Sequence, residues 1–105
     1  MGWVVEYTAE AQEDLERLDR TQQIQVLKAI GKVSANPLPQ VEGGPGKPLG
    51  NRMTSKLAGF MKIKLLKLGL RVIYAIERKD TIMRIIVISV RDDDTVYKLA
   101  QQRLK

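Results

Sequence analysis

Between Lys62 and Arg91 the chain carries three apolar runs separated by two turn signals, and this stretch leaves few folds open. The first run alternates as Lys62-Ile63-Lys64-Leu65. The second follows Gly69 and opens at Arg71, and the third, Ile82 to Val90, comes after the polar break Glu77 to Asp80. Short runs rich in Ile and Val, bounded by Gly69 and by Lys79-Asp80, read as three antiparallel strands joined by tight turns. In an extended strand residues two apart share a face, so Lys62 and Lys64 point the same way. Arg71 begins the next strand and Arg91 closes the third, so one sheet gathers four cations near one surface. Like charges repel, and such a gathering predicts an anionic ligand, phosphate first.

The flanks supply what covers that sheet. Trp3 to Tyr7 is a short strand by its aromatic and β-branched content. Thr8 is placed to cap a helix from about Ala9 to Leu18, with Glu10 in its first turn and Ala11, Leu15 and Leu18 on one stripe, the acids lying elsewhere. Thr21 is placed to cap a second helix to about Ala35. There Ile24, Val26, Leu27, Ile30 and Val33 form a broader apolar face, and Asn36-Pro37 ends it. Two helices so closely joined are expected to form an antiparallel hairpin packed on the sheet. From Pro37 to about Ser55 there is no periodicity, and the stretch holds four prolines and four glycines. A loop of this length is either functional or a connector. Gly43-Gly44-Pro45-Gly46-Lys47 lacks the strand and helix context of a phosphate loop. After Arg91, Asp92-Asp93-Asp94 reads as a cap for a last helix, Thr95 to Leu104, rather than a metal site, because no acid follows at calcium-loop spacing. Val96, Leu99, Ala100 and Arg103 give that helix a narrow apolar side. The order β-α-α-β-β-β-α predicts an α+β fold: a helical hairpin on a small, mainly antiparallel sheet, with a C-terminal helix.

Composition bounds the function. A chain of 105 residues, 44% hydrophobic and 29% charged, is expected to form one globular domain over residues 1–105. No apolar run approaches the roughly 18 residues of a membrane span, and the N-terminus has no signal-peptide pattern, so a cytoplasmic location is expected. There is no cysteine, which excludes disulfides and cysteine-ligated zinc. There is no histidine either, so a general base would have to be a carboxylate, lysine, tyrosine or amine. The net charge of +6 is divided unevenly: residues 1–20 carry six acids and two bases, leaving a net +10 on residues 21–105. A basic body of this kind attracts nucleic acid or another polyanion.

Lys62, Lys64, Arg71 and Arg91, with Tyr97 six positions further on, are suited to cutting RNA through the ribose 2′-hydroxyl. That reaction needs a base for the 2′ proton, charge stabilisation at the phosphate and an acid for the 5′-oxygen. Clustered cations stabilise the phosphate and favour loss of a proton by one of the lysines. Tyr97 is able to stack on a base. Taken singly, a strand lysine is commonly a solvated residue and a tyrosine commonly packs. Together, and in order, Lys56-Leu57-Ala58-Gly59, Lys62-Ile63-Lys64-Leu65, Gly69-Leu70-Arg71-Val72-Ile73-Tyr74, Val87-Ile88-Ser89-Val90-Arg91 and Tyr97-Lys98-Leu99-Ala100 resemble the RelE branch of the RelE/ParE toxin superfamily. The resemblance covers nearly the whole chain and implies the β-α-α-β-β-β-α fold. It also implies a toxin of a type II toxin–antitoxin system that cuts mRNA in the ribosomal A site and is silenced by a cognate antitoxin.

Carried over by position, the resemblance makes Lys62 and Lys64 phosphate contacts, one of them a candidate base. Arg71 becomes the phosphate-stabilising arginine, Arg91 a general acid or charge stabiliser, and Tyr97 the stacking residue. Lys47, Arg52 and Lys56, close to these in the chain, are candidate substrate contacts. No cofactor and no metal are expected. The resemblance to the superfamily leaves a second function, a ParE-like inhibitor that binds DNA gyrase and catalyses nothing, and the same basic face would serve a third, a non-catalytic RNA- or ribosome-binding module. By resemblance, the joint pattern of lysine pair, arginine and C-terminal tyrosine, which ParE-type sequences generally lack, favours the nuclease over the gyrase inhibitor.

Overall fold

A computed structural model describes residues 2–48, 60–90, 98–100 and 102–103. In chain order it contains β1 (Val4–Tyr7), α1 (Ala9–Glu16), α2 (Arg20–Val33), a 3-10 turn (Gln40–Glu42), β2 (Lys47–Pro48), β3 (Phe60–Leu65), β4 (Leu70–Glu77) and β5 (Ile82–Val90). Residues 98–100 and 102–103 are helical. The α+β order expected from the sequence is the one observed. The strands form one sheet in the order β1-β5-β4-β3-β2. β3, β4 and β5 make the expected antiparallel meander, while β1 pairs with β5 in parallel. Gly69 takes a positive φ of 66° in the β3–β4 turn, where a side chain would be strained. No helix among the described residues is long and apolar enough to cross a membrane.

Both helices start on capping side chains. Thr8 Oγ1 accepts from the Ala11 amide at 3.0 Å, as expected. The second helix begins earlier than expected, because Asp19 rather than Thr21 is its cap. Asp19 Oδ1 accepts from the Gln22 amide at 2.8 Å, and Gln22 Oε1 accepts from the Asp19 amide at 3.3 Å. This reciprocal box satisfies two otherwise orphaned donors and outcompetes the single bond a Thr21 cap would make. The two helices cover one face of the sheet. There Ala11, Val26 and Ile30 pack with Met61, Leu70, Val72, Tyr74, Met83, Ile85 and Ile88. The apolar face of α2 is narrower than its sequence suggests, since Ile24 and Leu27 remain 53% and 46% exposed.

The opposite face carries a smaller cluster. Ile73, Ile86, Val87 and Ala100 are buried together, with Phe60 and Leu99 packed against them. A bulge permits this: Ile73 lies opposite Val87 but Tyr74 lies opposite Ile85, leaving Ile86 as the extra residue. The C-terminal helical residues therefore sit on the face that the hairpin leaves uncovered.

One contact ties the three layers together. β1 ends with Tyr7 opposite Ile85, so the outer edge of β5 has no strand partner beyond that point. Asp14 of α1 substitutes for one. Its Oδ2 accepts from the Ile88 amide at 3.0 Å and from Arg103 Nη1 at 2.7 Å, while Arg103 Nη1 also donates to the Ile86 carbonyl at 2.8 Å. Arg103 Nη2 reaches Asp14 Oδ1 at 3.2 Å. The pair is almost fully covered, with side chains 7% and 15% exposed. The expectation that the acids of α1 all lie away from its packed stripe thus fails at Asp14, which is three residues from Ala11 and on the same side. Arg103 likewise stands among apolar residues because its charge is matched there.

The region after Pro37 is more ordered than its composition suggests. The Gly46 amide donates to the Leu38 carbonyl, the Gln40 amide to the Gly46 carbonyl, and β2 pairs with β3. Tyr74 Oη donates to the Pro37 carbonyl at 2.9 Å, and Arg78 grips Glu42 through two bonds of 2.8 and 2.6 Å. Gly46 is fitted to this arrangement: a Cβ there would lie 2.6 Å from Tyr74 Oη and 2.7 Å from Met61 Sδ. Residues 49–59, with Arg52 and Lys56, and residues 91–97, with Arg91, Asp92-Asp93-Asp94, the expected helix start and Tyr97, lie outside the described residues.

Candidate phosphate-binding face

The register of three strands decides which cations meet. Lys47 of β2 lies opposite Lys62 of β3, and Lys64 of β3 lies opposite Arg71 of β4. Residues directly opposite in an antiparallel pair have Cβ atoms about 4.5–5.5 Å apart and share a face. Lys62 and Lys64 also share a face, being two apart on one strand. So Lys47, Lys62, Lys64 and Arg71 stand together, on the face that carries Ile73 and Val87, and Ser89 lies opposite Arg71. The four cations differ in access. Lys47 and Lys64 are exposed, Arg71 is half-buried, and Lys62 is 9% exposed. The Arg71 guanidinium also donates to the Leu70 carbonyl at 3.3 Å.

This face is graded along the strands. The cations occupy one end, the apolar cluster of Ile73, Ile86, Val87 and Ala100 the middle, and an ion-pair network the other end. In that network Arg84 reaches Glu6 at 3.1 Å and Glu77 at 3.5 Å, so two acids are spent on a cation remote from the others. The clustering expected for Lys62, Lys64 and Arg71 is present. Lys47 joins them through β2, a strand the sequence reading missed because two residues ending in Pro48 show no periodicity. The usable signal was the proline itself, which within sheets is confined to edges. Cations anchored on paired strands need little reorganisation when an anion arrives, which is the condition for stabilising charge that develops on a phosphate.

An α+β fold with a helical hairpin on one face of a mixed sheet and a basic end on the other is that of the RelE/ParE toxins. A sequence model of the ParE toxin of the type II toxin–antitoxin system parDE matches residues 5–95, and the chain belongs to this family. Comparison with curated proteins gives no match. Among solved structures, a chain of the RelBE2 toxin–antitoxin complex from Mycobacterium tuberculosis is 28% identical with a TM-score of 0.68, over 87% of this chain and 100% of that one. The free E. coli toxin RelE, in a form with two arginines replaced by alanine, is 21% identical with a TM-score of 0.74 over the whole of both chains. The archaeal RelE–RelB complex from Pyrococcus horikoshii OT3 is 19% identical, with a TM-score of 0.63 over 89% of this chain and 99% of that one. The latter two likenesses establish the shared fold.

Proposed function

We propose that this toxin is a ribosome-dependent endoribonuclease that acts in the cytoplasm, cutting mRNA in the ribosomal A site and so stopping translation. The observation that carries the reading is the cross-strand pairing of Lys64 with Arg71, beside Lys62 and Lys47, on one face of the sheet. In the reaction the ribose 2′-oxygen loses its proton and attacks the adjacent phosphorus. The bond to the 5′-oxygen breaks, leaving a cyclic phosphate and a 5′-hydroxyl. Lys64, the exposed lysine of the strand pair, is the candidate base, and Arg71 faces the charge that builds on the phosphate. Lys62 and Lys47 extend the positive field along the strand. Arg91 is assigned to the leaving oxygen and Tyr97 to stacking on the substrate base, both by resemblance. Arg52 and Lys56 complete the substrate contacts on the same ground. The ribosome holds the mRNA, so the toxin need supply only charge and proton transfer. The neutralising partner is a cognate antitoxin, as in the RelBE complexes of its structural relatives.

A second reading, a non-enzymatic inhibitor of DNA gyrase, is favoured by one observation: the matching sequence model is that of ParE. One experiment separates them. Purified toxin is added to ribosomes programmed with a defined mRNA, and in parallel to gyrase with relaxed plasmid. New mRNA ends in the A-site codon with supercoiling intact are expected. Lost supercoiling with intact mRNA would establish the gyrase reading. Ribosome binding without new ends would leave a non-catalytic binding module.

A further inference from the structure

β2 is too short to hold itself in place. It has two residues, and the second, Pro48, has no amide to donate to the ladder. Its register nevertheless decides where Lys47 stands. Paired with Lys62 it lies on the cation face, and a slip of one residue would turn it to the hairpin face. The register is therefore set from outside the ladder, and the lock lies on the other side of the sheet. Gly46, one residue before Lys47, is buried against Tyr74 and Met61, where a Cβ would meet Tyr74 Oη at 2.6 Å and Met61 Sδ at 2.7 Å. Met61 and Tyr74 are paired across β3 and β4 and belong to the core beneath the helical hairpin. With Gly46 on that face, alternation puts Lys47 on the other. The same tyrosine holds the rest of this strap. Its Oη donates to the Pro37 carbonyl at 2.9 Å, where the chain leaves α2. Between these points the strap closes on itself, the Gly46 amide donating to the Leu38 carbonyl at 3.1 Å and the Gln40 amide to the Gly46 carbonyl at 2.9 Å. Pro37, Gly46 and Tyr74 are buried, whereas the other anchor, Arg78 on Glu42, is a surface pair. An exposed pair constrains a loop weakly, and a buried hydroxyl that must keep its acceptor constrains it firmly.

We propose that Tyr74 is a positioning residue for the substrate: through Pro37 and Gly46 it fixes the register of β2 and so places Lys47 on the phosphate-binding face. Lys62 and Lys64 are two residues apart, so Lys47, opposite Lys62, stands ~6.8 Å along the strands from the Lys64–Arg71 pair. Lys47 therefore holds a phosphate beside the one at that pair, and Tyr74 acts on binding rather than on the chemical step. The proposal rests on the reading of this face as the surface that contacts RNA; it does not require that the RNA is cut.

The test uses the full chain and ribosomes programmed with an mRNA whose A-site nucleotides are 2′-deoxy, which lack the attacking hydroxyl and so report binding alone. Affinity is measured over a range of salt. Losing one phosphate contact should lower the slope of log affinity against log salt by about 0.7–0.9, and Lys47→Ala is expected to show that loss. Tyr74→Phe, which keeps the ring and removes the hydroxyl, and Gly46→Ala, which forces the strap off Tyr74, should each reproduce most of it. In the Lys47→Ala background, Tyr74→Phe should weaken binding by less than about twofold more, because both act on one contact. Ile30→Val trims the same core away from the strap, and this stability control should keep the wild-type slope. Melting curves confirm that each variant is folded at the temperature used. A wild-type slope in both Tyr74→Phe and Gly46→Ala would overturn the proposal, as would equal losses from Tyr74→Phe with and without Lys47. So would a wild-type slope in Lys47→Ala, or a wild-type chain that does not bind. With ordinary mRNA, Tyr74→Phe should raise the ribosome concentration for half-maximal cleavage and leave the saturating rate within about twofold of wild type. A wild-type chain that binds but never cuts would defeat the nuclease reading alone, and the binding series would still decide the role of Tyr74.

Discussion

Arg71 and Lys64 are the residues on which the proposed chemistry is most directly tested, because one is half-buried and the other exposed, and neither builds the core. Arg71→Ala should lower single-turnover cleavage on programmed ribosomes about 100-fold or more, as loss of one preorganised charge stabiliser typically does. Arg71→Lys should recover only part of this, since a point charge cannot reproduce a planar guanidinium. Lys64→Ala should lose the base, and Tyr97→Phe should lose less than Tyr97→Ala. Lys79→Ala, in the exposed β4–β5 turn, should cut at the wild-type rate. Wild-type cleavage by folded Arg71→Ala and Lys64→Ala would end the catalytic reading. Lys62 is a poorer probe, because at 9% exposure its truncation also disturbs packing. A separate prediction concerns stability. Gly46→Ala forces a methyl against Tyr74 Oη and Met61 Sδ, and should cost about 1–3 kcal/mol in urea unfolding. Tyr74→Phe leaves the Pro37 carbonyl without its donor and should cost about 1–2 kcal/mol. Burial pushes the Tyr74 phenol from 10.0 up to about 12. The raised value means its contribution is whole below pH 10 and is lost as pH rises through about 12. The stability difference between wild type and Tyr74→Phe should therefore shrink across that interval.

At the scale of elements, what was legible depended on how far apart the deciding residues lie in the chain. The β3–β4–β5 meander was readable because alternation, β-branched runs and Gly69 are local signals, and the Thr8 cap was readable for the same reason. The start of α2 was misplaced because Asp19 and Thr21 are both good caps; only the partner Gln22, three residues after Asp19, separates them. β2 escaped because its pairing comes from β3 and from loop bonds that no period announces. The Asp14–Arg103 pair escaped because its members are 89 positions apart: Asp14 looks, in sequence, like an exposed acid, and nothing local links it to Arg103 on the apolar side of the last helix. It is nevertheless the tie between α1, the unpaired edge of β5 and the C-terminal helical residues. Arg103→Ala leaves buried Asp14 with only the distant Arg17 at 3.9 Å and removes the Arg103 bond to the Ile86 carbonyl. A loss of about 3 kcal/mol in thermal or urea unfolding is expected, typical of breaking one member of a buried pair. A double-mutant cycle with Asp14→Ala should show strong coupling, since both act on one network. Losses that simply add would mean the two side chains act independently.

Over the whole molecule, the acidic first segment and the basic remainder are not two opposed surfaces. Glu6 and Asp14 from the first twenty residues are used up on Arg84 and Arg103. Among the described residues, Lys28 and Lys32 of α2, Lys47 of β2 and Lys64 of β3 take part in no ion pair with that segment. Binding to ribosomes or RNA through these groups should weaken steeply with salt, by about 0.7–0.9 logarithmic units per tenfold rise in salt for each phosphate contacted. An affinity that does not change with salt would show that the basic face is not the contact surface. The parallel seam between β1 and β5 has a consequence of another kind. Val4 pairs with Ile82 and Tyr7 with Ile85, and Asp14 meets Arg103, so β1 and α1 take key partners from far along the chain. Pairings this distant form late, because the intervening chain must be closed before they contribute. The sheet is therefore closed by residues far along the chain: until Ile82–Val90 are in place β1 has no strand beside it, and refolding from urea is expected to form the β3–β4 hairpin before the β1–β5 seam.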